Sequence, residues 1–481
     1  MFALLLVACF DSQTEPEIPV APVEEALAEG VEIPSVEDMG MLARPPARKA
    51  GKRRGRKGRS DKDKTRAFAS FQTAASQDFD PHVVGHPAPT TGDPVESTVV
   101  SPEAQLAAEL AALGYVDGEI AAEAGSVDGI RTHDAARAWQ GYNLYTPAGQ
   151  SIAQLLDMNG NEVHRWAFEV DKAWPAAKRI DGDPNADSFR RAELLPNGDL
   201  VAIWSGYGIV RLDKDSRLKW GHFLPVHHDF VVQDDGSVIV LTRIIHERPE
   251  YGDDTIVEDF LTWLEPDGAV RGSISVLEAF EAFEAYDGFE AIWAARPKKD
   301  RDLFHTNALF EIDADYTHLH PAFEKGNLLT SMRHLEVIAV LDTDTYEVVW
   351  AFDGDFAKQH DPQVVTQPEP RILVFDNRGG PRETSRVLEY ALPDMVETWR
   401  YQATPPTDFE TGVCGHAQRL PNGNTLINES TKGRVFEVTR EGEVVWDWRT
   451  SFRAGPRQLI ARTNEFTRVA PEDVAWLTAP R

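Results

Sequence analysis

From about residue 140 onward the chain restates one pattern, four short apolar strands joined by tight turns, and six such units leave few folds open. The last unit is the clearest: "HAQRLPNGNTLINESTKGRVFEVTREGEVVWDW", residues 416 to 448, reads as strand, PNGN turn, strand, Lys-Gly turn, strand, Glu-Gly turn, strand. Residues 191 to 220 repeat the Pro-Asn-Gly turn and the closing Trp. Asn-Gly supplies the positive φ of a hairpin turn, so neighbouring strands run antiparallel. Further units start at His228, His305 and His360, and a shorter one covers residues 141 to 166. Radial repetition of such sheets leaves only short, protected edges, which predicts an all-β fold, a six-bladed β-propeller over residues 140–481. Trp166, Trp220, Trp350, Trp399 and Trp446 close their units and read as packing residues between blades. The stretch "FTRVAPEDVAWL" is expected to supply a strand that closes the ring against the first unit. Between His228 and His305, Glu and aromatic residues at three- and four-residue spacing suggest a helical excursion over one rim.

Ahead of the repeats the composition changes. Residues 10–95 are rich in Pro, Glu, Ala, Ser and charge without a sustained period, which predicts a disordered linker. Within it a basic run, residues 44–66, holds 12 Lys and Arg against two Asp. The whole chain nevertheless carries a formal charge of -29, so the remainder is more acidic still and repels nucleic acid and anionic lipid. The segment 96–139 is expected to hold a short helix, with Ser101 as N-cap, Pro102 in its first turn, and Leu106, Leu110 and Leu113 on one face. The first nine residues, "MFALLLVAC", match the lipobox of bacterial lipoproteins, with Cys9 as the acylated residue. That predicts an exported, periplasmic or cell-surface lipoprotein touching a membrane only through this anchor. Cys414 is the one other cysteine and is expected to be a small buried hydrophobe. "DMNGNE", residues 157 to 162, resembles the start of a calcium loop but sits where a hairpin turn belongs and lacks the downstream Glu.

The histidines are placed where packing has no use for them. His228, His305, His360 and His416 each stand at the start of the first strand of a unit, and Arg191 holds the matching place in another. In a propeller the first strand of each blade lines the central channel, so these side chains converge on one mouth. Clustered imidazoles suit a metal, yet Arg191 and Arg333 would place fixed cations beside it. Neutral imidazoles, Asn307 and guanidinium groups suit instead a substrate that carries an oxyanion.

Five motifs in order, "VHHDF", "FHTN", "SMR", "QHDPQ" with "VFDN", and "GHAQRLPNGNTLI", resemble those of the PAPS-independent arylsulfotransferase family over roughly residues 140 to 480. The resemblance implies a six-bladed propeller that moves a sulfuryl group from a phenolic sulfate ester to a phenol acceptor, with no cofactor and no metal. It implies His360 as a nucleophile forming a transient sulfohistidine, with His228, His305, Asn307 and Arg333 around it. Arg191, His416, Thr306 and His227 are then the candidate substrate contacts. Sulfuryl transfer spreads charge over equatorial oxygens, so it needs an in-line nucleophile and donors aimed at those oxygens. An imidazole, His228 or His305, can give and recover the phenolic proton. Two features depart from the family: a linker and helix precede the propeller, and Cys414-Gly415-His416 stands where a hydroxyl side chain is usual. The rival readings are a non-catalytic ligand-binding or scaffold propeller, and a quinone-dependent oxidoreductase, for which "VLDTDTYEVVW" is a single copy of a repeat found in most blades of that class.

Overall fold

Pro196-Asn197-Gly198 and Pro421-Asn422-Gly423 turn the chain back on itself, with Gly198 at φ 86° and Gly423 at φ 88°, where a side chain would be strained. Repetition of such turns builds four-stranded antiparallel meanders, six in all. They are seen in a computed structural model that describes residues 128–175, 186–248, 255–281, 302–366, 369–454 and 459–477. The lipobox Cys9, the linker 10–95 with its basic run and the helix expected from Ser101 lie outside these residues. Among the described residues no helix is long and apolar enough to cross a membrane.

The six sheets form a six-bladed β-propeller. Numbered along the chain, blade 2 spans residues 191–223, blade 3 residues 226–275, blade 4 residues 306–352, blade 5 residues 360–401 and blade 6 residues 416–449. Blade 1 joins distant parts of the chain: Tyr142–Pro147, Ile152–Leu156 and Glu162–Ala167 are completed by the inner strand Thr463–Val469. Tyr142 pairs with Val469 and Thr146 with Glu465, so the ring is sealed as the sequence led us to expect. Gly129–His133 adds a fifth strand to the outer edge of blade 6, pairing with Val444–Arg449. The propeller sheet therefore begins before residue 140, where the sequence reading drew its boundary. That strand is short and polar, which hid it.

The inner strands are Thr463–Val469, Arg191–Leu194, Val226–Val232, Thr306–Glu311, His360–Val365 and His416–Arg419, and each touches the next around the channel. Apolar residues on the faces of neighbouring blades interlock in six wedges, one per blade junction. Each closing Trp lies in the fourth strand of its blade, counted from the channel. Three of them also donate an indole N–H to a turn of the following blade: Trp166 to the Gly198 carbonyl (3.1 Å), Trp399 to Arg440 (2.7 Å) and Trp446 to Met158 (3.0 Å). The Asp157–Asn161 loop is the hairpin turn between two strands of blade 1, its Asp157 carboxylate accepting from the backbone of Asn159 and Asn161. A helix is present at Val276–Glu281, and the rest of the stretch expected to be helical lies outside the described residues.

Candidate active site

A strand that alternates strictly would send its side chains by turns into the two junctions that flank its blade. The inner strands of blades 3 to 5 break that alternation with β-bulges near their starts. In blade 3, residues 227–229 stand opposite Leu241 alone; in blade 4, Asn307 is an extra residue between the paired Thr306 and Ala308; in blade 5, Asp361 and Pro362 stand opposite Val374. His228, His305 and Asp361 adopt φ of 50°, 50° and 51°, and Cys414, ahead of the blade 6 strand, 57°. Left-handed backbone at a non-glycine residue costs about 1–2 kcal/mol each, and its recurrence at one mouth marks a place where side-chain direction outweighs local stability.

These turns assemble a concavity of about 410 Å³, counting the part open to solvent. His228, Asn307, His360, His416, Arg190 and Arg191 line it, with Asp229, Asp361, Cys414, Asn464 and Glu465. Four residues singled out in the sequence thus meet beside His360, brought from blades 2, 3, 4 and 6.

His360 is buried, and the orientation of its ring is fixed. Nδ1 lies 2.7 Å from Asn377 Oδ1 and 3.1 Å from the Lys358 carbonyl. The Asn377 amide nitrogen donates to the carbonyls of Thr411 (2.7 Å) and Cys414 (2.6 Å), so its oxygen is the atom that must face the imidazole. Two acceptors at Nδ1 place the proton there and leave the lone pair on Nε2. Burial, and after it the Arg333 guanidinium, push the His360 imidazole down to about 3, with Arg190 and His305 adding to the effect, so the ring is neutral in ordinary conditions. The strand start is clamped from below by Gln359. Its side chain donates to Ser331 Oγ (3.1 Å) and the Val337 carbonyl (3.0 Å), and its own carbonyl accepts from Asn307 Nδ2 (2.9 Å).

On the blade 3 and 4 side, His228 and His305 rings meet edge-on with centroids 4.8 Å apart. His228 Nδ1 lies 2.9 Å from His227 Nδ1, and burial, followed by the surrounding His305 and Arg190, holds the His228 imidazole well below its ordinary value. His305 donates from Nδ1 to Asp302 Oδ2 (2.6 Å), and its ring packs at 4.7 Å on that of His334. Burial pushes the Asp302 carboxyl up to about 6. His305 backs His228 and is not part of the cavity wall. Asp302, His305 and His334 offer ligand atoms within 4.8 Å of one another. Both Nδ1 atoms are already committed there, His305 to the Asp302 carboxylate and His334 to the Asp302 carbonyl (2.8 Å), and the Arg333 charge acts on the same carboxylate. The cluster reads as a hydrogen-bonded support.

Thr306 and His227 are not brought to the cavity. Both are fully buried and turned toward Asp259: the Thr306 amide donates to its Oδ2 (2.7 Å), and His227 Nε2 lies 3.3 Å from its Oδ1. Arg333 donates from its backbone to the His305 carbonyl (3.2 Å), and its charge reaches His360 and Asp302. Arg191 lines the cavity, yet Asp229 and Glu465 both pair with it, the latter at 2.7 Å. Burial opposes ionisation of Glu465, but Arg191 and His416 beside it hold its carboxyl below the usual range. Arg191 is thus a neutralised structural centre. Arg190, one residue earlier, is the second guanidinium whose charge reaches His360, and its Nη1 donates to Cys414 Sγ (3.2 Å).

Residues 191–453 match the family model described as Arylsulfotransferase (ASST). The chain belongs to the arylsulfotransferase family. Its fold and its cluster of imidazole and guanidinium groups accord with a sulfotransferase-like activity on phenolic substrates. No curated protein matches the sequence. Among solved structures, the chain is similar to a protein of unknown function from Bacteroides caccae, at 13% identity with a TM-score of 0.43, over 65% of this chain and 94% of that one. It is also similar to a streptogramin B lyase, at 11% identity with a TM-score of 0.38, over 70% of this chain and 87% of that one. A virginiamycin B lyase from Staphylococcus aureus aligns at 10% identity with a TM-score of 0.33, over 55% of this chain and 70% of that one.

Three members of this candidate site were not singled out from sequence: Asn377, Arg190 and Asp361. Asn377 closes the "VFDN" motif, whose buried strand ending in Asp-Asn was a signal. Arg190 is the neighbour of a residue that was chosen. Asp361 follows His360 in "QHDPQ".

Proposed function

We propose that the protein transfers a sulfuryl group from a phenolic sulfate ester to a phenol through a sulfohistidine at His360. The observation that carries this reading is the double acceptance at His360 Nδ1 by Asn377 and Lys358, which leaves Nε2 as a neutral, buried nucleophile. Attack of Nε2 on sulfur forms the N–S bond as the S–O bond to the phenol breaks. Nδ1 keeps its proton throughout, so the sulfated ring bears a positive charge that the Asn377 and Lys358 oxygens accept.

Arg333 and Arg190 supply positive charge on the side of His360, where the equatorial oxygens of the transferring group gather it. Asn307 adds a polar amide, one hydrogen of which is held by the Gln359 carbonyl. A second phenol then takes the sulfuryl group from nitrogen and restores the imidazole.

The test is incubation of the full chain with 4-nitrophenyl sulfate, with and without an added phenol, followed by mass spectrometry of the peptide that holds His360. Phenol-dependent nitrophenol release, an acid-labile sulfate on His360 and loss of both in His360→Ala are expected. Release that survives His360→Ala overturns the reading.

A further inference from the structure

His360 and Asp361 are consecutive, yet they serve opposite sides of the cavity. His360 turns toward Asn377 in its own blade. The left-handed backbone of Asp361 carries its carboxylate across to blade 6, where Oδ2 lies 2.6 Å from His416 Nδ1. The same oxygen accepts from Gln363 Nε2 (2.7 Å) and the Ala417 amide (3.3 Å), which fixes it in place. We propose that His416, held by Asp361, protonates the departing phenolic oxygen and later deprotonates the acceptor phenol. The assignment rests on the sulfohistidine reading above.

Three observations carry it. First, His416 lines the same cavity as His360. Second, its Nδ1 is engaged by a carboxylate, so the proton available for exchange sits on Nε2. That atom is buried without a hydrogen-bond partner among the described residues, a costly arrangement unless a ligand completes it. Third, the other imidazoles are poorly placed for the task. His228 is kept neutral by burial and adjacent cations, and His305 stands behind the wall.

The groups facing His416 are Asp361 from blade 5, Glu465 from blade 1 and Arg191 from blade 2. Burial opposes charge on the ring and Arg191 does too, but Asp361 and Glu465 outweigh them and hold the His416 imidazole above its ordinary value. One cavity thus biases one imidazole toward its neutral form and another toward its charged form, the division that separates nucleophile from acid. In the first step the S–O bond breaks as His416 Nε2–H passes to the phenolate oxygen. In the second, neutral His416 takes the acceptor's proton as its oxygen attacks sulfur and the N–S bond breaks. Protons and charge balance over the cycle.

The experiment compares the first turnover of 4-nitrophenyl sulfate, whose phenol leaves readily, with that of 4-methylphenyl sulfate, whose phenol leaves poorly, in the full chain. His416→Gln should slow the 4-methylphenyl ester by about 10²–10³-fold and the nitrophenyl ester by less than about tenfold. Asp361→Asn should move the alkaline limb of the 4-methylphenyl rate to lower pH, because loss of the carboxylate lowers the His416 value. An equal loss for both esters, or a leaving-group-dependent loss in His305→Gln and not in His416→Gln, overturns the assignment. Wild-type chain that releases neither phenol overturns the transferase reading and this assignment with it, whereas wild-type release with uniform loss in His416→Gln overturns only the assignment. Should His416→Gln fold poorly, ¹⁵N resonances of the wild-type imidazoles decide: His416 titrating above the other cavity histidines and losing that elevation in Asp361→Asn supports the pair, and titration at or below an ordinary histidine removes it.

Discussion

Asn377 Oδ1 sits 2.7 Å from His360 Nδ1 because the other end of the same amide is held by two backbone carbonyls. The amide cannot rotate without leaving those carbonyls unpaired, so it dictates which nitrogen of His360 carries the proton.

Replacing Asn377 with Leu should therefore change the chemistry more than the binding. The expected outcome is a fall of about 10²-fold in the rate of His360 sulfation, with the KM for donor moving little. Imidazole ¹⁵N shifts should show a mixture of tautomers at His360 where the wild type has one. A single Nδ1–H tautomer in the variant removes the argument.

Arg333 and Arg191 should separate cleanly. Arg333→Met takes away a charge that acts on His360 and, on the proposed function, should lower kcat/KM for the sulfate ester by about 10²–10³-fold, with little change in melting. Arg191→Met leaves Asp229 and Glu465 buried without their cation, which should cost about 3 kcal/mol of stability by urea unfolding. The reverse pattern would reassign the two guanidinium groups.

Burial raises the Asp259 carboxyl to about 6 from 3.8, so the folded chain holds a proton there that the unfolded chain releases. The stabilisation is fully present below the unfolded value and is lost as pH rises through about 6. The gap corresponds to roughly 3 kcal/mol. Denaturant midpoints should decline between pH of about 4 and 6, and Asp259→Asn should make that decline shallower, the buried Asp302 and Asp229 carboxyls accounting for part of what remains. An unchanged slope in the variant would place the titration on another carboxyl.

The blade-to-blade indole bonds make a stability prediction far from the site. Trp446→Phe keeps an aromatic body but removes the donor to the Met158 carbonyl, and should cost about 1–2 kcal/mol in urea unfolding with the sulfation rate unchanged. A variant as stable as the wild type would show that the indole bond contributes nothing net.

The architecture was legible because each unit carries its own evidence: Asn-Gly turns, alternating strands and a terminal Trp recur with little variation. The histidines were legible for the same reason, since His228, His305, His360 and His416 break the pattern at one place in the repeat. What failed was choice between neighbours. Successive strand residues face opposite ways, so a one-residue slip exchanges wall for core, and in blades 3 to 5 bulges at the strand starts make the slip unreadable in advance. Thus Arg190 acts on His360 while Arg191 serves the ion cluster, and His227 and Thr306 turn toward Asp259 while their neighbours His228 and Asn307 line the cavity. Asn377 was obscured differently, because its role depends on carbonyls at Thr411 and Cys414 that are distant in the chain.

The strand Thr463–Val469 seals blade 1 and also contributes Asn464 and Glu465 to the cavity wall. Sealing the ring and completing the cavity wall are thereby made one event. A ring left ajar at this seam lacks the carboxylate that grips Arg191 and favours charge on His416, so a half-assembled or fraying molecule loses the proposed proton donor's support at the same moment that it opens.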